Sequence, residues 1–304
     1  MTDDSPDGPI PGTLPAGQAG PSLPLDAVRR AVALALAEDA AWRDVTTSAL
    51  VPPDQQGRAV IIAKAPGVLA GLAVVEAVFH ALDASLAFEA AAADGARLSP
   101  GQVVARMAGP LNPILRGERV ALNLLQRLSG VATATARLVE ALEGLPTRLL
   151  DTRKTTPGLR ALEKYAVRVG GGHSHRFNLA DGILIKDNHL VALKARGQDI
   201  AAAVRLARLG SPHTLRVEIE VTSVEQALEA LAAGAEVLLL DNMDPEDMRR
   251  VDGVARGRAL TEASGGITLD NVRAVAETGV DFISVGAITH SAPALDMSLE
   301  VLEE

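Results

Sequence analysis

From Thr147 onward the sequence repeats one unit: a short, nearly uninterrupted apolar run, then a polar or glycine residue, then an amphipathic stretch. Six such runs stand out, TRLLD from 147, GILIK from 182, LRVEIEV from 215, EVLLLD from 236, RALTEAS from 258 and DFISVG from 281. A strand wetted on one side alternates apolar with polar residues, so runs that are apolar throughout belong to strands covered on both faces, as in a parallel sheet flanked by helices. The intervening segments, SVEQALEALAAG and TLDNVRAVAETG among them, have the spacing of those helices. On pattern alone such units close into a barrel or open into a doubly wound sheet. The strand ends decide between the two. They carry Asp151 to Lys154, Lys186, Glu220, Asp241, Ser264 to Gly266 and Gly286, and a barrel gathers all of these on one rim, whereas an open sheet strings them along a line too long for one small ligand. We therefore expect an α/β barrel, TIM-like and incomplete at about six to seven strands, over residues 129–289.

With 304 residues, 48% of them hydrophobic, the chain has material for a second core. Upstream, a helical pattern from Leu25 through Ala41 leads into strand-like GRAVIIAK, helical GLAVVEAVFHAL, and strand-like SLAFEAAAADG and GQVVARMAG. This predicts a smaller α+β sandwich domain over 23–128. A long amphipathic stretch from Gly117 to Glu143 joins the two. Residues 1–22 are dense in Pro, Gly and Asp and are expected to be a disordered tail.

A net charge of -9 offers no general attraction to nucleic acid or anionic lipid. The absence of cysteine removes disulfides, thiolate metal sites and thiol nucleophiles. Aromatic residues make up 2%, too few for base-stacking platforms. No apolar run reaches the roughly 20 residues of a membrane span, and no secretory signal pattern opens the chain, so a cytoplasmic location is expected.

Against an acidic background, the local cations stand out. Thr152, Arg153 and Lys154 follow the first barrel strand, where side chains enter the mouth. The segment GGGHSHR places three glycines, whose amides approach a ligand closely, before His173, His175 and Arg176. The guanidinium of Arg176 suits a carboxylate. The HxH spacing hints at a metal, but no further His or Cys follows nearby. Lys186 ends the next strand behind two apolar residues, placed to pair with an anion or to act as a Schiff-base amine, while Asp187 and Asn188 have the chemistry of helix caps. In VEIEV, Glu218 and Glu220 share a face, and Asp241 ends the following strand. These hard oxygen donors suit Mg²⁺ held jointly with phosphates, or ion pairs with Lys186 or Arg153. Finally, Ser264, Gly265 and Gly266 after one strand, and Gly286 and Ala287 after the next, place small residues on adjacent loops where amides can cradle a phosphate.

Taken in order, ERVALNLLQRLSGVAT, DTRKTTPGLRALEKYAV, GGGHSHRFNLADGILIKDNH, VEIEV, LLLDNM, EASGGI and DFISVGAITHSAPALDMSL resemble quinolinate phosphoribosyltransferase from about Leu25 to the C-terminus. The resemblance implies transfer of phosphoribose from 5-phosphoribosyl pyrophosphate to quinolinate with decarboxylation, giving nicotinate mononucleotide, pyrophosphate and carbon dioxide, with Mg²⁺, in NAD biosynthesis. Arg153, Lys154, His175, Arg176 and Lys186 match residues around the two substrate carboxylates. Glu220 and Asp241 match the acidic pair near ribose and metal. Ser264, Gly265, Gly266, Gly286 and Ala287 match the loops on the 5-phosphate. Arg119 matches an arginine that reaches the site from the other subunit, which implies an active homodimer. The resemblance also returns the C-terminal residues, 290–304, to the small domain, where periodicity alone would make them a last barrel helix.

Two positions depart from the family pattern. Arg43 precedes DVTT where Gly is usual, and Ser174 precedes the HR pair where Asn is common. Within enzymes, a phosphoribosyltransferase for another heterocyclic acid such as nicotinate is the alternative, and four cations around one small ligand favour the dicarboxylate. An inactive phosphate-metabolite sensor is disfavoured by the complete set of charged residues.

Overall fold

The long amphipathic stretch becomes the axis of the molecule. In the computed structural model, which describes residues 21–303, it is a single helix of 31 residues from Leu111 to Ala141, about 46 Å long at 1.5 Å per residue. Its apolar face is wide enough to bury residues on both sides, with Ile114, Leu122, Leu125 and Leu128 all out of water.

Before it come α1 (Leu25–Glu38), α2 (Val45–Leu50), β1 (Gln56–Ala63), β2 (Gly67–Val68), α3 (Leu72–Leu82), β3 (Ala87–Ala90), β4 (Arg97–Leu98) and β5 (Val103–Pro110). The long helix is then α4. Asp44 caps α2, accepting from the Thr46 and Thr47 amides, so DVTT is a helix start, and Arg43 only ends the short turn before it. Strands β1, β5 and β3 pair antiparallel, and α3 packs against α4 with Phe79 fully buried.

After it come β6 (Arg148–Leu150), α5 (Arg160–Val169), β7 (Ile183–Ile185), α6 (Asp187–Lys194), α7 (Ile200–Leu209), β8 (Val217–Val221), α8 (Val224–Ala232), β9 (Val237–Asp241), α9 (Pro245–Ala255), β10 (Leu260–Ser264), α10 (Val272–Ala276), β11 (Phe282–Ser284), α11 (Ala287–His290) and β12 (Met297–Val301). All six predicted barrel strands are present, paired in parallel in the order β6-β11-β10-β9-β8-β7. Helix starts follow local rules: Ser223 caps α8, and Asp244 caps α9 with Pro245 in its first turn. The gap between β6 and β7 is partly filled by the glycine-rich segment. His173 bridges Leu150 in parallel, donating its amide to Leu149 and accepting from Asp151, so the barrel has six strands and the beginning of a seventh.

The last strand leaves the barrel. β12 pairs antiparallel with β1 and makes the small sheet β12-β1-β5-β3. To get there, residues 292–295 cross α4 at Gly130, where a Cβ would lie 2.1 Å from the Pro293 carbonyl. Leu295 N–H donates to the Gln126 carbonyl, and the Gln126 amide donates to Met297. Periodicity could not foresee this, because the crossing depends on Gly130, far upstream of Pro293. No helix among the described residues is long and apolar enough to cross a membrane. The expectation of a disordered tail falls on residues that, up to 20, lie outside the described ones.

Candidate active site

The carboxyl ends of the barrel strands surround a cavity of about 310 Å³. Thr152, Arg153, Lys154, His175, Arg176, Lys186, Glu220, Asp241 and Ser264, all singled out from the sequence, line it together with Leu184, Leu239, Glu262 and Ser284. The loop after β6, the strand ends of β7, β8 and β9, and the segment at 173–176 thus meet within one small volume. Leu184 and Leu239 supply an apolar wall.

The two signs of charge face each other. Lys186 is the backbone cap of α6, with the His189 ring accepting its amide proton, and its ammonium stands 3.9 Å from Glu220. Burial, and then the neighbouring charge of Asp241, push the Glu220 carboxyl above its ordinary range, with Lys186 partly offsetting them. A like-charged pair held at a strand-end rim fits a hard divalent cation, whose charge would relieve the repulsion. Arg176 donates to the Gly182 carbonyl at 2.8 Å, which fixes its head at the mouth.

His175 is different. Its Nδ1 accepts from the Arg176 amide at 2.7 Å, and its Nε2 lies 3.3 Å from Glu218 and 3.6 Å from Glu262. Both ring nitrogens are committed to the protein, which fixes the ring where it lines the cavity. Beneath it Glu218 and Glu262 are 7% and 2% exposed. Burial, then the Glu218 charge, push Glu262 up to about 7, against the pull of His175 and of a Ser284 hydrogen bond. Burial also opposes charging of His175, but the hydrogen bond to Glu218 and the charges of Glu262 and Glu218 outweigh it and raise its pKa. The three form one buried group at the floor of the cavity, which Glu262 itself lines. Glu262 was not among the expected site residues, although a carboxylate inside RALTEAS, a run buried on both faces, was a visible signal. Glu218 was grouped with Glu220 and Asp241 as a hard oxygen donor on one face, and the structure pairs it with His175 instead.

The glycine loops sit at the rim rather than in the wall. A Cβ on Gly286 would lie 2.9 Å from the Lys154 Cδ, so the lysine stem passes directly over it, next to Ala287 at the start of α11. Gly265 has φ of 90° and its missing Cβ would fall 2.3 Å from the Asn242 Oδ1; Gly266 follows at φ 62°. Consecutive left-handed residues turn the backbone sharply after β10. Arg119 is not brought to this cavity: it is exposed on α4, 3.7 Å from Glu118. Ser174, the other departure, is exposed.

A parallel barrel with a cationic wall, an acidic edge and glycine turns at its strand ends defines an enzyme for a small, multiply anionic substrate. Comparison with known proteins narrows this. The models of the quinolinate phosphoribosyl transferase N-terminal and C-terminal domains match residues 44–129 and 131–300. A probable carboxylating nicotinate-nucleotide pyrophosphorylase of Bacillus subtilis is 45% identical over 264 residues, covering 87% of this chain and 90% of its own. The human carboxylating nicotinate-nucleotide pyrophosphorylase is 43% identical, covering 84% and 85%. Among solved structures, the nicotinate-nucleotide pyrophosphorylase from Francisella tularensis superposes with a TM-score of 0.86 at 39% identity, over 93% of this chain and 98% of that one. The chain belongs to the quinolinate phosphoribosyltransferase family.

Proposed function

We propose that the cavity at the barrel mouth binds quinolinate and 5-phosphoribosyl pyrophosphate and that the chain is a carboxylating nicotinate-nucleotide pyrophosphorylase, a glycosyltransferase of NAD biosynthesis. The observation that carries this reading is the meeting of Arg153, Lys154, Arg176 and Lys186 with Glu220 and Asp241 in one cavity, in a chain of this family. Four cations match the two adjacent carboxylates of quinolinate and the phosphate charge beside them.

The chemistry follows from charge. The ring nitrogen gives its lone pair to ribose C1 as the bond from C1 to the pyrophosphate oxygen breaks, and positive charge develops on C1. Glu220 and Asp241 stabilise it in this reading. The ring nitrogen is then cationic, so when the carbon-carbon bond to the 2-carboxylate breaks, the electron pair left on C2 is stabilised by the adjacent charge. A proton completes the product, and carbon dioxide and pyrophosphate leave. Glu220 and Asp241 would also hold Mg²⁺, whose charge offsets that of the pyrophosphate. No covalent intermediate is needed, so Lys186 serves as a cation rather than a Schiff-base amine. The 5-phosphate is assigned to the loops at Ser264, Gly265, Gly266, Gly286 and Ala287. Arg119, exposed and away from its own cavity, is assigned to the cavity of a second copy in a homodimer. The location is assigned to the cytoplasm.

The test is direct. With Mg²⁺ and 5-phosphoribosyl pyrophosphate, quinolinate labelled in its 2-carboxylate should release labelled carbon dioxide. Turnover of nicotinate without that release would overturn the reading.

A further inference from the structure

Helix α5 presents consecutive buried residues of opposite charge, Glu163 and Lys164, that touch neither the cavity nor each other's partners. Glu163 is fully buried. Its carboxylate accepts from the Thr156 amide at 3.0 Å and the Thr156 hydroxyl at 2.7 Å, and from Arg127 of α4 at 2.8 and 3.1 Å. It therefore holds the loop that carries Arg153 and Lys154. Arg127 in turn donates to the carbonyls of Thr289 and Ala292, and the Thr289 hydroxyl donates to the Lys154 carbonyl at 2.8 Å. That loop is held at both Lys154 and Thr156.

Lys164, 2% exposed, points elsewhere. It donates to Asp151 at the end of β6 and, at 3.1 Å, to the His175 carbonyl. The same Asp151 oxygen accepts the His175 amide at 2.8 Å. The segment carrying His175 and Arg176 is thus gripped through both its backbone donor and its acceptor. Arg160, the first residue of α5, closes the arrangement: it donates to the Thr155 hydroxyl on one segment and to the Phe177 carbonyl on the other, at 3.0 and 3.1 Å. Tyr165 turns away and donates to Asp94 of the small domain at 2.6 Å.

Glu163 and Lys164 stand about 100° apart on the helix, which is what allows neighbours in sequence to reach segments 20 residues apart. Burying two charges carries a desolvation penalty that their partners must offset, and plain apolar residues would pack a helix against α4 without it. What an apolar pair could not do is fix the backbone of two irregular segments. We infer that Glu163 and Lys164 are positioning residues for the dicarboxylate pocket, Glu163 setting Arg153 and Lys154 and Lys164 setting Arg176 over the His175 floor. The inference rests on the functional reading above.

Its test compares the wild-type enzyme with Glu163→Gln, with the paired exchange Asp151→Asn and Lys164→Met, and with Tyr165→Phe, measuring KM for each substrate, kcat and Tm. The paired exchange leaves no unpaired buried charge and keeps an acceptor for the His175 amide, so it folds even where Glu163→Gln does not. Loosening a ligand's support by a fraction of an ångström costs roughly tenfold to hundredfold. Both α5 variants should therefore raise KM for quinolinate at least about tenfold. The paired exchange should leave KM for 5-phosphoribosyl pyrophosphate within about twofold, because Arg176 faces the dicarboxylate. Tyr165→Phe should lower Tm and move neither KM. The inference is overturned if both α5 variants keep the wild-type KM for quinolinate whatever their Tm, or if Tyr165→Phe raises it equally. A wild-type enzyme inert on quinolinate would instead bring down the functional reading, and this inference with it.

Discussion

The rim of the barrel and the layer beneath it hold the same kinds of charge in opposite ways. At the rim, Lys186 keeps 48% of its side chain in water and stands at 3.9 Å from Glu220, a loose pair. Beneath, Lys164 and Asp151 are sealed from water and hydrogen-bonded, Glu163 accepts four hydrogen bonds, and Glu262 and Glu218 stand buried against His175. A loosely paired cation gains little from its neighbour and is available to a ligand. A buried pair has its energy committed to structure, and removing one partner strands the other. The rim is thus expected to carry affinity and rate, and the layer beneath to carry geometry and stability.

The largest effects are expected at the rim. Arg153→Ala should lower kcat/KM for quinolinate on the order of 10²- to 10³-fold, with little change in Tm. A drop in Tm of several degrees would show that the rim is structural after all. Arg119→Ala should be equally inactive alone, and mixing the two variants with subunit exchange should restore activity to about a quarter of the sites, since half the dimers are mixed and each has one intact cavity. Mixed subunits that stay inactive would remove Arg119 from the site.

In the layer beneath, Glu262 makes a pH-dependent contribution. Its folded pKa of about 7 lies above the ordinary 4.5, so the folded state holds the proton more tightly. Stability from this group is complete below about pH 4.5 and is lost as pH rises through 7. Glu262→Gln, which cannot ionise, should lose this decline, narrowing the fall in unfolding free energy between pH 5 and 8 by on the order of 1–3 kcal/mol. Parallel stability curves for the two proteins would refute a neutral Glu262 in the floor.

The smallest effect is expected where neither kind of charge acts. Gly265→Ala forces a Cβ onto Asn242 at φ of 90°, which should distort the turn after β10 and raise KM for 5-phosphoribosyl pyrophosphate by about tenfold, while KM for quinolinate stays nearly constant. Equal rises in both would mean that the turn shapes the whole mouth rather than the phosphate end.

Much of this was legible beforehand because strands buried on both faces leave an unmistakable pattern, and because a strand's carboxyl end is defined by where its apolar run stops. Arg153, Lys154, Lys186, Glu220 and Asp241 could be placed on one rim from those two facts. His175 could be placed there, but not the direction of its nitrogens, which depends on Glu218 and Glu262 from two other strands. Glu163 and Lys164 were not singled out, since nothing local distinguishes a solvated charge from one whose partner lies on another segment.

The sequence by itself determined the parallel barrel, its cationic and acidic strand ends and its glycine turns, because these follow from local periodicity and from residue chemistry at fixed offsets. The return of the C-terminal residues to the small domain was implied by the family resemblance; that β12 gets there by crossing α4 at Gly130, that the barrel stops at six strands and a bridge, and which charges are buried were set by the tertiary structure. Those outcomes depend on contacts between residues far apart in the chain, where what a side chain does is set by what closes over it.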